Sequence, residues 1–181
     1  MWSIGHSTRT LAALVALLHG HGVAAVADVR RVPRSRRHPH FDAAALAREL
    51  PAVDIAYVHR PGLGGFRRAR PDSPHTGLRH PSFRGYADYM GTDEFAGELD
   101  ALLAAAATTP TAIMCAEAVP WRCHRSLIAD ALAARGVTVR HILGPGSPEP
   151  HRLSASARLE GGRVAYPGQP DLFSVWSARG R

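Results

Sequence analysis

A nearly continuous run of apolar residues from Val23 to Val29 is the feature that most constrains the fold. A strand with one covered face alternates apolar and polar residues, whereas a run of this kind is typical of a strand covered by helices on both faces. A short strand followed by a glycine turn is predicted at Ile4, and further strand patterns occur at 54–59, 111–115 and 137–142. Helical patterns separate them, and this alternation predicts an α/β fold with a mainly parallel sheet of about five strands flanked by helices.

The helical patterns span 11–18, 43–50, 83–90, 92–107 and 124–135, with Asp42 and Thr92 where N-caps are expected. A long loop without periodicity runs from Arg60 to Pro81. Past Gly144 the composition changes to Pro, Gly and Ser, and strands at 158–160 and 163–166 around Gly161-Gly162 predict a hairpin. At 181 residues the chain has room for one ordinary domain. We therefore expect a single α/β domain over 1–143 and a C-terminal extension over 144–181 that can form the hairpin.

The positive charge is concentrated in one part of the chain. Between Arg30 and Arg84 there are twelve arginines and only four acidic residues, whereas the remainder is close to neutral. All 22 basic residues are arginine, which excludes a P-loop lysine and a Schiff-base lysine. The cluster predicts an anionic partner, either a small molecule or a nucleic acid.

Nothing in the sequence predicts a membrane segment. The apolar runs are too short to cross a bilayer, and the N-terminus lacks the basic and apolar regions of a signal peptide. We expect a cytoplasmic protein without a membrane partner. In that compartment the two cysteines, Cys115 and Cys123, are expected to be thiols.

Chemically capable side chains follow every predicted strand. Ligands of open parallel sheets bind beyond the carboxyl ends of the strands. The residues at these ends are His6 and Ser7, Asp28 and Arg30, His59, Cys115 and Glu117, and His141. This arrangement predicts a site at that edge of the sheet, with Cys115, Glu117 and His6 as the catalytic candidates.

The densest segment runs from Cys115 to Arg125. A cysteine placed at the N-terminus of a helix has a lowered pKa, and we expect Cys115 to be such a thiol and the more reactive of the two. Glu117 is expected to be buried beside arginines, where it can serve as a general base or hold an arginine or a ribose hydroxyl. A carboxylate there also raises the thiol pKa unless Arg122 or Arg125 neutralises it. Cys115 can alternatively be a small buried hydrophobic residue.

Cys115, Cys123 and His124, with nearby His or Glu, are also ligand types for Zn²⁺. The spacing of the two cysteines fits no common zinc signature. We therefore predict no metal site, and the sequence identifies no cofactor.

Two basic stretches supply further binding candidates. Arg30, Arg34 and Arg36 lie in the segment after the second strand, where guanidinium groups can hold phosphate. Gly64 and Gly65 lie beside Phe66 and several arginines, a combination that suits phosphate or a single-stranded nucleic acid. The predicted substrate-binding residues are Ser7, Asp28, Arg30, Arg34, Arg36, Gly64, Gly65, Cys123, His124 and Arg125.

Several motifs carry a family resemblance. They are Ile4-Gly5-His6-Ser7, Asp28-Val29-Arg30, Pro33-Arg34-Ser35-Arg36, Leu63-Gly64-Gly65, Tyr86-Ala87-Asp88-Tyr89-Met90, Cys115-Ala116-Glu117 and Cys123-His124-Arg125. From roughly Ile4 to Ile142 the chain resembles the bacterial and archaeal domain-of-unknown-function family 488, which implies an α/β fold and these motif residues. Ala27-Asp28-Val29-Arg30 and the strand ending in Cys115 are also distantly similar to rhodanese-like domains, although the stretch from Cys115 to Arg125 is longer than their loop.

These observations predict an enzyme, a hydrolase or transferase that uses Cys115 or Glu117. Its substrate is anionic and phosphate-bearing, a nucleotide or nucleic acid. The alternative is a non-catalytic nucleic-acid-binding module in which the basic loops contact backbone phosphates and the strand-end residues are structural.

Overall fold

The computed structural model describes residues 1–168. The strands are β1 (Trp2–Gly5), β2 (Ala25–Asp28), β3 (Ala56–His59), β4 (Thr111–Cys115), β5 (Arg140–Ile142), β6 (Glu149–Pro150), β7 (Arg158–Glu160) and β8 (Arg163–Ala165). The helices are α1 (Leu11–Gly20), α2 (Ala43–Glu49), α3 (Pro81–Met90), α4 (Asp93–Thr108) and α5 (Arg125–Ala134). Short 3₁₀ helices cover Pro39–Phe41, Pro51–Val53, Pro61–Leu63 and Pro120–Arg122.

The main sheet has six strands in the order β3-β2-β4-β1-β5-β6. The first five are parallel, and β6 pairs with β5 in the antiparallel sense. The predicted α/β fold with a mainly parallel sheet is therefore confirmed. The sixth strand was not predicted, because its two exposed residues, Glu149 and Pro150, carry no apolar pattern.

Helices cover both faces of this sheet, which explains the continuous apolar runs. On β4, Ala112 and Met114 pack in the core beneath α1 and α2, whereas Ile113 and Cys115 pack in the core beneath α3, α4 and α5. Every residue of β4 is buried as a result. Two hydrophobic cores thus sandwich the strands that end at the predicted site.

Local capping differs from the prediction at one position. Thr92 caps α4 as expected, with its hydroxyl oxygen accepting from the Phe95 N–H at 3.2 Å. Asp42 precedes α2, but its side chain makes no cap bond there. Its carboxylate accepts instead from the Ser35 N–H at 2.7 Å. Asp42 therefore anchors the arginine-rich loop that follows β2.

The predicted C-terminal hairpin is present as β7 and β8. Val164 and Tyr166 join the core formed by α3, α4 and α5. The Tyr166 hydroxyl donates to Asp130 Oδ2 of α5 at 2.8 Å. The end of the predicted extension, 169–181, lies outside the described residues. No helix within 1–168 is long and apolar enough to span a bilayer.

Candidate functional site

A cleft of about 900 Å³ opens at the carboxyl ends of β1, β2 and β4. Its position agrees with the rule for ligand sites in open parallel sheets. Nine of the thirteen predicted site residues line it: His6, Ser7, Arg30, Arg34, Gly65, Cys115, Glu117, Cys123 and His124. Residues far apart in sequence therefore meet around one cavity.

The other four predicted residues lie outside the lining. Asp28 and Arg125 are buried behind the cleft wall. The backbone of Gly64 packs so closely on Arg31 that a Cβ atom would lie 2.8 Å from the Arg31 Cα. Arg36 is exposed on the neighbouring surface. Asp28, Arg125 and Gly64 thus act on the cleft through the residues that they position.

Two thiols and an imidazole form a cluster in the cleft. The sulfur atoms of Cys115 and Cys123 and a ring nitrogen of His124 lie within 4.8 Å of one another. His124 Nε2 is 3.0 Å from the carbonyl oxygen of Val29, which can only accept, so Nε2 donates this hydrogen bond. The other ring nitrogen, His124 Nδ1, lies 3.6 Å from Cys123 Sγ.

Arg125 adds a fixed positive charge to this cluster. Its side chain is about 1% exposed, and Nε donates to Cys123 Sγ at 3.4 Å. Its other donors reach the Ser3 hydroxyl at 3.2 Å and the carbonyl oxygen of Glu117. The guanidinium group cannot turn away without breaking these bonds, so Cys123 always has a cation beside its sulfur.

These contacts give the two thiols opposite acidities. The neighbouring Cys115 thiol, together with His124 and Arg125, lowers the pKa of Cys123 well below its ordinary value despite burial. The neighbouring Cys123 and burial raise the pKa of Cys115. Cys123 is therefore the more acidic thiol of the pair.

The expectation that Cys115 occupies a helix N-terminus is wrong. Cys115 is the last residue of β4, and α5 begins only at Arg125, directly after Cys123-His124. The intervening segment turns through the 3₁₀ helix Pro120–Arg122 and returns Cys123 to the end of β4. Cys123 consequently takes the position that the sequence suggested for Cys115.

His6 and Arg30 form a second, rigid part of the cleft wall. Arg30 binds Asp28 through two donors at 2.8 and 2.5 Å, and its NH2 also donates to the Phe41 carbonyl oxygen at 2.8 Å. His6 Nδ1 donates to the Ser7 carbonyl oxygen at 2.9 Å, and His6 Nε2 accepts from Arg30 at 3.1 Å. Burial lowers the pKa of His6 to about 4. His6 is therefore neutral with both ring nitrogens engaged, and the charge of Arg30 is balanced by Asp28.

Glu117 lies at the exposed edge of the cleft, so the expectation that it is buried beside arginines is wrong. Its backbone explains the local geometry. The Glu117 carbonyl oxygen accepts from Arg125 and passes so close to Gly5 that any side chain at Gly5 would collide with it. The carboxyl group of Glu117 is consequently free to face solvent and ligand.

Exposed aromatic and basic side chains surround the opening. Phe66 is 89% exposed and Trp121 is 62% exposed. Phe66 also has a φ of 59°, an uncommon conformation for a bulky residue. Arg31 and Arg122 line the cleft together with them. The sequence placed Phe66 among arginines, but it did not predict Trp121 as a lining residue, because no periodicity marks the stretch between β4 and α5.

Two further strand-end histidines lie away from the cleft. His59 Nε2 donates to the Arg30 carbonyl oxygen at 2.9 Å and thereby supports the cleft wall. His141 lines a neighbouring cavity of about 680 Å³ and hydrogen-bonds to His151, which in turn contacts Asp130. The two cavities share Trp121 in their lining. Only part of the predicted strand-end set therefore converges on one site.

Together the fold and the site define an α/β domain with a thiol–imidazole cluster in a cleft at the carboxyl ends of its parallel strands. Residues 10–132 match the family described as "Domain of unknown function DUF488", and the chain belongs to this family. No curated protein and no solved structure shows a significant match. The resemblance to rhodanese-like domains stays a prediction.

Proposed function

We propose that the chain is an enzyme, a hydrolase or transferase, that acts on an anionic, phosphate-bearing substrate with Cys123 as its nucleophile. The observation that carries the proposal is the position of Cys123 Sγ in the cleft wall, between His124 Nδ1 at 3.6 Å and Arg125 Nε at 3.4 Å. A thiolate held by an imidazole and a cation is the arrangement that activates cysteine nucleophiles. This proposal replaces Cys115 with Cys123 in the nucleophilic role.

Arginines at the opening supply the preference for an anion. Arg34 and Arg122 are exposed cleft residues and have no ion-pair partner within residues 1–168. Arg30, in contrast, is already paired with Asp28. Free guanidinium groups at the rim can bind a phosphate group bidentately. We therefore assign substrate binding to Arg34 and Arg122, with Arg30 shaping the wall.

The proposed reaction uses side chains of the cleft together with water or another acceptor. The Cys123 thiolate attacks phosphorus, an S–P bond forms, and the bond between phosphorus and the leaving oxygen breaks. The leaving oxygen takes a proton from water, and Glu117 is the exposed carboxyl candidate for the general base that activates the water of the second step. Water or another acceptor then cleaves the S–P bond, which restores the thiolate and distinguishes a hydrolase from a transferase.

Alkylation rates test the central assignment. At pH 7, iodoacetamide should label Cys123 at least about tenfold faster than Cys115, because the thiolate is the reacting form. Mass spectrometry of peptides from timed samples measures both rates. A nucleoside monophosphate should slow the labelling of Cys123, whereas the matched nucleoside without phosphate should not. Faster labelling of Cys115, or equal protection by the nucleoside, would contradict the assignment.

The second candidate function, a non-catalytic nucleic-acid-binding module, is favoured by the exposed rings of Phe66 and Trp121 beside arginines. Aromatic side chains of this kind stack on the bases of single strands. Bound phosphates release counterions, so log affinity falls with log salt by about −0.7 per contact for a single strand.

Anisotropy of a labelled single-stranded oligonucleotide at several salt concentrations measures this slope. Arg34→Ala should reduce the slope by roughly one contact. Arg36→Ala is the matched control, since Arg36 is exposed outside the cleft lining and should change the slope less. No binding at low salt would exclude the nucleic-acid function and leave a small anionic substrate.

A further inference from the structure

Cys115 and Cys123 face each other although seven residues separate them in the chain. Their sulfur atoms lie within 4.8 Å, and both are free thiols that line the cleft. The two residues are 8% and 3% exposed, so neither is solvated enough to react as an ordinary surface thiol. A disulfide has an S–S length of about 2.0 Å. Disulfide formation therefore requires the two sulfurs to reach this distance.

The two thiols are not equivalent. Arg125 Nε and His124 Nδ1 both contact the sulfur of Cys123. Neither group makes a hydrogen bond to Cys115. Thiol–disulfide chemistry requires one thiolate that attacks and a second thiol that completes the exchange. Cys123 fits the first role and Cys115 the second.

The same cluster offers two cysteine sulfurs and an imidazole to a metal, but Arg125 opposes such an ion. Its guanidinium group donates to Cys123 Sγ and is held in place by Ser3 and the Glu117 carbonyl oxygen. A divalent cation on Cys123 would lie beside this fixed positive charge. The contacts of the cluster therefore favour thiol chemistry over metal binding.

We propose that Cys115 is the resolving thiol of Cys123 and that the two form a reversible disulfide which switches the cleft off. This inference rests on the proposed function, since it assumes that Cys123 is the nucleophile.

A hydroperoxide is the class of oxidant. The Cys123 thiolate attacks one peroxide oxygen, the O–O bond breaks, and the sulfenic acid of Cys123 forms as an alkoxide or hydroxide leaves. Cys115 then attacks this sulfur, the S–S bond forms, and the hydroxyl group leaves as water with the Cys115 proton. A dithiol returns two electrons and restores both thiols.

The test uses the full chain, reduced and then treated with hydrogen peroxide. The oxidised protein should lose two hydrogen atoms and both titratable thiols, and dithiothreitol should restore them. Digestion without reductant should yield one linked peptide that contains Cys115 and Cys123. A non-reducing gel separates this product from disulfides between two copies.

Two variants assign the roles. In Cys115→Ser, oxidation should stop at a Cys123 sulfenic acid, which dimedone traps, and continue to the sulfinic acid with excess peroxide. In Cys123→Ser, Cys115 should stay a thiol under the same conditions. Circular dichroism of each variant reports whether it folds. If a variant does not fold, the presence or absence of the linked Cys115–Cys123 peptide in the unaltered chain tests the proposal.

Three outcomes would overturn the proposal. They are Cys123 oxidised to sulfinic acid in the unaltered chain while Cys115 stays free, a link between two copies only, and stoichiometric zinc in the reduced protein that protects both thiols until a chelator removes it. The iodoacetamide rate of reduced Cys123 is measured in parallel. Rapid alkylation without a disulfide refutes this inference alone, whereas slow alkylation of Cys123 refutes the proposed function.

Discussion

Asp28→Asn is expected to lower the free energy of unfolding by about 3–5 kcal/mol, because it leaves the buried Arg30 charge uncompensated. Asp28 is fully buried and accepts from the backbone N–H and two side-chain donors of Arg30 and from the Tyr57 hydroxyl. Asparagine keeps the shape of the side chain and one acceptor but removes the negative charge. The loss is a large fraction of the roughly 5–15 kcal/mol that stabilises a typical domain.

Urea unfolding at pH 7.5 measures this change. Glu49→Gln is the matched control, because Glu49 pairs with Arg48 at 2.7 Å while both side chains are exposed. An exposed pair contributes about 0–1 kcal/mol. If Asp28→Asn lowers the free energy of unfolding by no more than Glu49→Gln does, the Asp28–Arg30 pair plays no part in holding the cleft wall. That result would restore the predicted role of Asp28 as a substrate-binding residue.

The sheet could be predicted from the sequence because its strands are buried on both faces. The strand 111–115 was located to the residue, since helices on each side require five consecutive buried positions. The predicted strands 23–29 and 137–142 begin earlier than the observed β2 and β5, which start at Ala25 and Arg140. There the apolar residues Val23 and Val139 are buried in the cores without pairing in the sheet. Apolar pattern reports burial, and it does not separate a strand from an adjoining buried turn.

The edge of the sheet that holds the cleft could also be predicted, but the roles of its residues could not. The sequence favoured Cys115 as the reactive thiol because Cys115 directly ends a predicted strand. Only the folded loop shows that Cys123 returns to the end of this strand and lies beside Arg125. Charge alone favoured Arg30 as an anion ligand, and only the packing shows that Asp28 already neutralises it. Pairing between side chains depends on tertiary geometry, which spacing along the chain does not record.

Stability is expected to fall steeply as the pH drops from about 6.5 to 4, because His6 and His141 are buried as neutral groups. Burial is the main cause that lowers the pKa of each to about 4, against an ordinary value of 6.5. For His6 the guanidinium of Arg30 adds to the effect, and for His141 the neighbouring His151 and Arg125 do so. Above pH 6.5 both folded and unfolded chains are neutral at these positions, and no stability is lost there.

Between these pH values the unfolded chain binds protons that the folded chain does not, so the free energy of unfolding rises with pH in this window. At about 1.4 kcal/mol per pKa unit, each histidine removes roughly 3 kcal/mol of stability by pH 4.

Urea unfolding at pH 7.5, 6.5, 5.5 and 4.5 measures the slope of the free energy of unfolding against pH. His141→Gln should make the slope clearly shallower, since glutamine can still donate to His151 but takes up no proton. His19→Gln, which replaces an exposed histidine, should leave the slope as it is. A free energy of unfolding that stays constant from pH 7.5 to 4.5 would show that these imidazoles accept protons inside the fold, and the neutral, doubly bonded state of His6 in the cleft wall would then be wrong.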